Sequence, residues 1–147
     1  MSRSVELLKK RYLKNIKENP DLFIGIELEF PIVNLEGKAT DGEVVKDLFR
    51  YLPSVLGFTI EKVDDFGNQI QLLDPVSQDT ILFEVAYTTI EFAFGKAESI
   101  QEVEERFNFY MATIQNKLGE ANHAIVGCGI HPNWDKNENC PVAYPRY

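Results

Sequence analysis

The chain has 147 residues and 44% apolar content, enough for a single core in one ordinary domain. Fifteen Lys and Arg against 23 Asp and Glu leave a formal charge of −8. So acidic a chain carries no footprint for a nucleic-acid backbone and is repelled by anionic membrane surfaces.

The start, "MSRSVELLKKRYLKN", carries charges throughout and has no apolar stretch of signal-peptide type. With no membrane span visible either, the cytoplasm is the expected compartment. Residues 4 to 18 place Val5, Leu8, Tyr12 and Ile16 at helical spacing, and Asn19-Pro20 ends the pattern. Residues 22 to 34 read as a strand interrupted by Pro31. "TDGE" has capping-box spacing from Thr40 to Glu43. It predicts a helix with Val44, Val45, Leu48, Phe49 and Leu52 on one side, ending near Pro53 or Gly57.

Short β signals follow. Phe58, Ile60 and Lys62-Val63 suggest a strand, "DDFGN" a turn, and Ile70 and Leu72 alternate with Gln69 and Gln71. "DPVSQD" reads as a second turn. Residues 80 to 86 and 88 to 94 read as two strands or one bent strand. Ser99 and Glu102 form a second capping box, before a helix carrying Ile100, Val103, Phe107, Met111, Ile114 and Leu118 and stopping at Gly119. Residues 123 to 130 read as a last strand, and the tail from His131 has no periodicity. Strands without regular βαβ alternation predict an α+β fold: a mostly antiparallel sheet with the helices on one face.

The stretch "IGIELEF" sets two carboxylates in an apolar run. Strand alternation sends Ile24, Ile26, Leu28 and Phe30 one way and Gly25, Glu27 and Glu29 the other, the two glutamate Cβ atoms roughly 7 Å apart. "ILFEVAYTTIEFAF" repeats the pattern. Ile81, Phe83 and Val85 share a face opposite Glu84, and Ile90, Phe92 and Phe94 share a face opposite Glu91. If these strands are neighbours, Glu27, Glu29, Glu84 and Glu91 converge on one open surface.

Two readings of such a surface stand side by side. Carboxylates without His or Cys suit hard divalent ions, Mg²⁺, Mn²⁺ or Ca²⁺, and Mg²⁺ so held completes its shell with water and substrate phosphates. Alternatively, the glutamates sit on an exposed sheet face, paired with Lys or Arg across strands. A glycosidase acid–base pair has no local support. "GKATDG" lacks the spacing of a phosphate-binding loop. Cys128 and Cys140 match neither a disulfide framework nor a zinc site. His123 and His131 read as structural or surface groups, Trp134 as a packing residue or a pocket wall, and Arg146 as a clamp for a carboxylate or phosphate or a solvated side chain.

Taken in order, Gly25-x-Glu27-x-Glu29, then Glu84 with Glu91 seven later, then Gly127, Gly129, Pro132 and Trp134, then Arg146-Tyr147, the chain resembles the N-terminal portion of the glutamate–cysteine ligase family over about residues 22 to 147. Glu84 stands where some members have Asp. The resemblance implies a glutamine-synthetase-like sheet, Mg²⁺ or Mn²⁺ held by Glu27, Glu29, Glu84 and Glu91, and ATP, glutamate and cysteine as small-molecule substrates. It implies phosphorylation of the glutamate γ-carboxylate and attack on the acyl phosphate by the cysteine amine, with Arg146 as a substrate or phosphate contact. Family enzymes are considerably longer, so the expectation is an N-terminal fragment of a larger catalytic domain, inactive alone and completed by a missing C-terminal half or a homo-oligomer. The alternatives are a non-catalytic module that needs a partner, or a related ligase with another acceptor amine.

Overall fold

The computed structural model describes residues 2–134 and 141–145. Its elements run α1 (Arg3–Leu13), β1 (Glu27–Asn34), α2 (Gly42–Leu56), β2 (Thr59–Val63), β3 (Gln69–Leu73), β4 (Thr80–Phe83), β5 (Thr89–Ala93), α3 (Ile100–Gly119) and β6 (His123–Ile125). The strands form one open six-stranded sheet in the order β2-β3-β4-β5-β1-β6. Every pairing is antiparallel. The protein is α+β, as its patterning predicts.

The core lies between one sheet face and the two long helices. Val45, Leu48, Phe49 and Leu52 of α2 and Val103, Tyr110, Ile114 and Leu118 of α3 are buried. They meet Ile32, Ile70, Leu72, Ile81, Phe83, Ile90 and Phe92 from four strands. Phe49 stacks on Phe83 with ring centroids 3.8 Å apart. Burying each such side chain contributes about 1.5–3 kcal/mol. α1 departs from the expectation that the helices cover this face. None of its residues is buried, and Val5, Leu8, Tyr12 and Ile16 stay exposed.

The helix ends follow local chemistry. Asp41, not Thr40, caps α2, its carboxylate accepting from Glu43 N at 2.9 Å. Thr40 instead donates its hydroxyl to Ile32 O at 2.6 Å, tying the turn to β1. Pro53 lies inside α2. The helix stops at Gly57, whose φ of 74° is the left-handed conformation glycine adopts without strain. Ser99 caps α3 as its spacing predicts, its Oγ accepting from Glu102 N, whereas the Glu102 carboxylate reaches past the cap residue to Glu98 N.

β1 divides its pairing. Glu27 to Pro31 pair with β5, and Ile32 to Asn34 pair with β6. Pro31 is tolerated because the even-numbered residues exchange the ladder bonds with β5, as in Ile32 N to Thr88 O. Its nitrogen faces the other edge, while its carbonyl accepts from Val126 N.

Two strand assignments are corrected. Val85 leaves the ladder with φ 63° and is exposed, so it does not share a face with Ile81 and Phe83. The hairpin turn claims it, and β4 ends at Phe83. The last strand ends at Ile125, and Gly127 to Ile130 are irregular. Gly95, just past β5, packs so closely that a Cβ there would overlap the Ser77 carbonyl. Gly95→Ala is expected to cost about 1–3 kcal/mol through forced backbone shift, read as a lowered urea midpoint; an unchanged midpoint would show that the 74–79 turn gives way freely.

Candidate carboxylate site

The sheet face away from α2 and α3 brings the four predicted glutamates together. Glu29 lies directly opposite Glu91 across the β1–β5 pair, and Glu27 lies opposite Ala93 on the same face. On the other side of Glu91 stands Leu82 of β4, with Gln71 of β3 beyond it. Glu84 follows the end of β4, its N–H donating to Thr89 O at 3.1 Å to close the hairpin. Its side chain is hydrogen-bonded to that of Glu91. Alternation along "IGIELEF" holds: Glu27 and Glu29 are exposed, whereas Ile26, Leu28 and Phe30 pack against the core.

Glu91 is set apart by burial. Only 8% of it is exposed, in the middle of β5 between Leu82 of β4 and Glu29 of β1. Desolvation, then the hydrogen bond and charge of Glu84, then the charges of Glu27 and Glu29 push its carboxyl up to about 7. Near neutrality Glu91 therefore keeps its proton part of the time, and in that form its carboxyl is a donor. Sequence patterning placed Glu91 on this face but gave no measure of its burial.

Among the described residues, no Lys or Arg pairs with Glu27, Glu29 or Glu91; the cations pair elsewhere, as Lys46 does with Glu43 and Arg106 with Asp79. The cross-strand cation pairing weighed above is therefore absent for these three. The donor chemistry, carboxylate oxygens alone, fits a hard divalent cation. As the side chains stand, no three His, Cys, Asp or Glu among the described residues are gathered around one point.

The remaining sequence candidates fall elsewhere. His123 is buried, its Nε2 accepting from Asp41 N at 3.1 Å and its Nδ1 donating to Ala121 O. His131 places Nε2 2.8 Å from Ile32 O. Trp134 is 71% exposed and anchors nothing, against the expectation of a packing residue. Arg146 and Cys140 lie outside the described residues.

Two buried polar clusters went unforeseen. Asp64 accepts from Phe66 N, Asn68 N and Asn68 Nδ2, and from the Tyr87 hydroxyl. Burial would raise its carboxyl, but the bonds from Asn68, Tyr87 and Phe66 outweigh that and hold it below the usual range. Tyr87 is pushed up to about 12 by burial and by Asp64. Asp79 accepts from Gly95 N at 2.7 Å, Arg106 Nη1 at 2.6 Å and the Tyr110 hydroxyl at 2.8 Å. The signal in sequence was turn chemistry at "DDFGN" and "DPVSQD"; the distant partners had none.

No family model and no curated protein matches the chain. Among the described residues, no helix is long and apolar enough to cross a membrane.

Proposed function

We propose that the open sheet face is the metal-holding part of an ATP-dependent carboxylate–amine ligase of the glutamate–cysteine ligase kind. In this reading the sheet is of the glutamine-synthetase type, and Glu27, Glu29, Glu84 and Glu91 hold Mg²⁺ or Mn²⁺. The supporting observation is the direct Glu29–Glu91 cross-strand pair, with Glu84 bonded to Glu91 and Glu27 two residues along the same face. A bound divalent ion would neutralise nucleotide phosphates and the charge developing on the transferred phosphoryl group.

The chain's own residues supply position and proton control. The strands fix Glu27, Glu29 and Glu91 on a rigid ladder, the kind of element that holds a site more closely than a loop does. Leu82 stands directly opposite Glu91, which is only 8% exposed. Glu91, whose carboxyl is raised to about 7, would give up its proton to a bound cation. The reaction would join the glutamate γ-carboxylate to the cysteine amine through an acyl phosphate, ATP leaving as ADP and phosphate. Arg146 would contact a substrate carboxylate or phosphate.

Calorimetric titration with Mn²⁺ tests the metal-holding face. Binding is expected for the native chain, stronger at pH 8 than at pH 6 with net proton release, and weakened at least tenfold in Glu27→Gln/Glu29→Gln. Identical isotherms for the two proteins would sink the reading.

A further inference from the structure

α1 is a helix without a surface to lie on. Its eleven residues bury nothing, and isolated helices of that length are marginal in water. Val5, Leu8 and Tyr12 form a stripe along one side, 39%, 55% and 74% exposed. Its charge is the reverse of the rest of the chain. Residues 3 to 17 hold six cations and one anion, leaving nine cations against 22 anions elsewhere. The surface that suits this helix is therefore apolar in the middle and acidic at the rim.

The same chain has one. Ile26 just before β1 and Leu28 within it, with Ile100, Val103 and Phe107 of α3, line an apolar groove of about 340 Å³ with Glu104 at its side. Ile100 is 61% exposed, in contrast to its expected place on the packed face of α3. Beside the groove β1 is uncovered. β6 pairs only with Ile32 to Asn34, and among the described residues no strand pairs with the outer edge of Glu27 to Phe30. Glu104 is its one acidic lining residue, and Glu105 follows it on α3, both exposed.

We propose that α1 of one copy docks in the β1–α3 groove of a second copy, and reciprocally. Val5, Leu8 and Tyr12 enter the groove, and Arg11 and the helix lysines face Glu104. Exchange of the same element in both directions gives a closed two-fold pair and covers both open edges. The charge pattern favours a second copy over an anionic lipid surface, because the acidic remainder of the chain is repelled by such lipids.

Light scattering on the whole chain tests this at low and high salt, with Leu8→Asp/Tyr12→Asp altering the helix and Ile100→Asp altering the groove. The expected result is a dimer of the 16.8 kDa chain at low salt, weakened by salt and at least tenfold by either variant, with far-ultraviolet circular dichroism otherwise unchanged. Mixing a tagged helix variant with an untagged groove variant is expected to capture a hybrid through the one intact pairing. A monomer at every salt concentration, or a dimer indifferent to either variant, overturns the proposal. Failure to capture the hybrid overturns it in favour of α1 folding onto its own groove. Binding of the native chain to phosphatidylserine vesicles, lost in the helix variant but kept in the groove variant, overturns it in favour of a lipid surface.

Discussion

Replacing Asp79 with Ala is expected to lower stability by about 3–5 kcal/mol, because it leaves Arg106 and Tyr110 without their buried partner. Asp79 is 1% exposed and satisfies three donors at once. Besides Asp79, Arg106 donates from Nε to Glu102 O at 3.4 Å and lies over the Phe94 ring, while its Nη2, 3.5 Å from Glu102 Oε1, makes no hydrogen bond. Burial, with the Asp79 bond second, holds the Tyr110 hydroxyl well above its ordinary value, so it stays a donor throughout the accessible pH range. The consequence reaches the candidate site. Asp79 immediately precedes β4 and binds Gly95 just beyond β5, so it helps set the register that places Leu82 against Glu91. Urea unfolding measures the loss, and Asp79→Asn should fall between the native chain and the alanine variant. A loss below about 1 kcal/mol would mean that water replaces the carboxylate without penalty.

Glu91→Gln is expected to make the protein more stable above pH 7 while leaving it unchanged near pH 5. The sign follows from proton counting. The Glu91 carboxyl titrates near 7 in the folded chain against an ordinary value of 4.5. Between those values the folded state binds more protons than the unfolded one, so stability falls as pH rises through the window. The stabilising proton is fully present below about 4.5 and gone above about 7. Allowing for water at the open face, the difference at pH 8 is about 1–2 kcal/mol. Asp64 and Asp74, held below their ordinary values, act in the opposite sense and only in acid. The measurement is the difference between native and Glu91→Gln unfolding free energies from pH 5 to 8 in chelated buffer. A difference flat across that range would show that Glu91 holds no extra proton.

Elements governed by neighbours in sequence were legible. The alternation in "IGIELEF" correctly divided Leu28 from Glu29, and Ser99 capped α3 as its spacing implied. The errors share a physical cause. Asp41 displaced Thr40 as the cap because Thr40 found a carbonyl on β1, a partner eight residues back. Val85 left its face because the hairpin needed a residue at positive φ. Tyr110 was passed over because its hydroxyl answers Asp79, 31 residues away. At the site, the face carrying each glutamate was readable from period two. The direct opposition of Glu29 and Glu91 was not, because register belongs to the pairing of two distant segments.

Pro31 has a consequence for behaviour at high concentration. Along the uncovered edge of β1 the outward positions are Glu27 and Glu29, alternating with the residues that serve β5, and the stretch ends at buried Pro31, whose carbonyl is taken by Val126 N. A strand from another molecule seeking to extend the sheet there would meet two donors flanked by carboxylates and then a nitrogen with no hydrogen to give. Pairing with an identical edge would also bring like charges together. Charge and proline are two of the means by which natural sheets discourage edge-to-edge growth. The same short segment that sets carboxylates on the open face thus guards the chain against polymerising through its backbone.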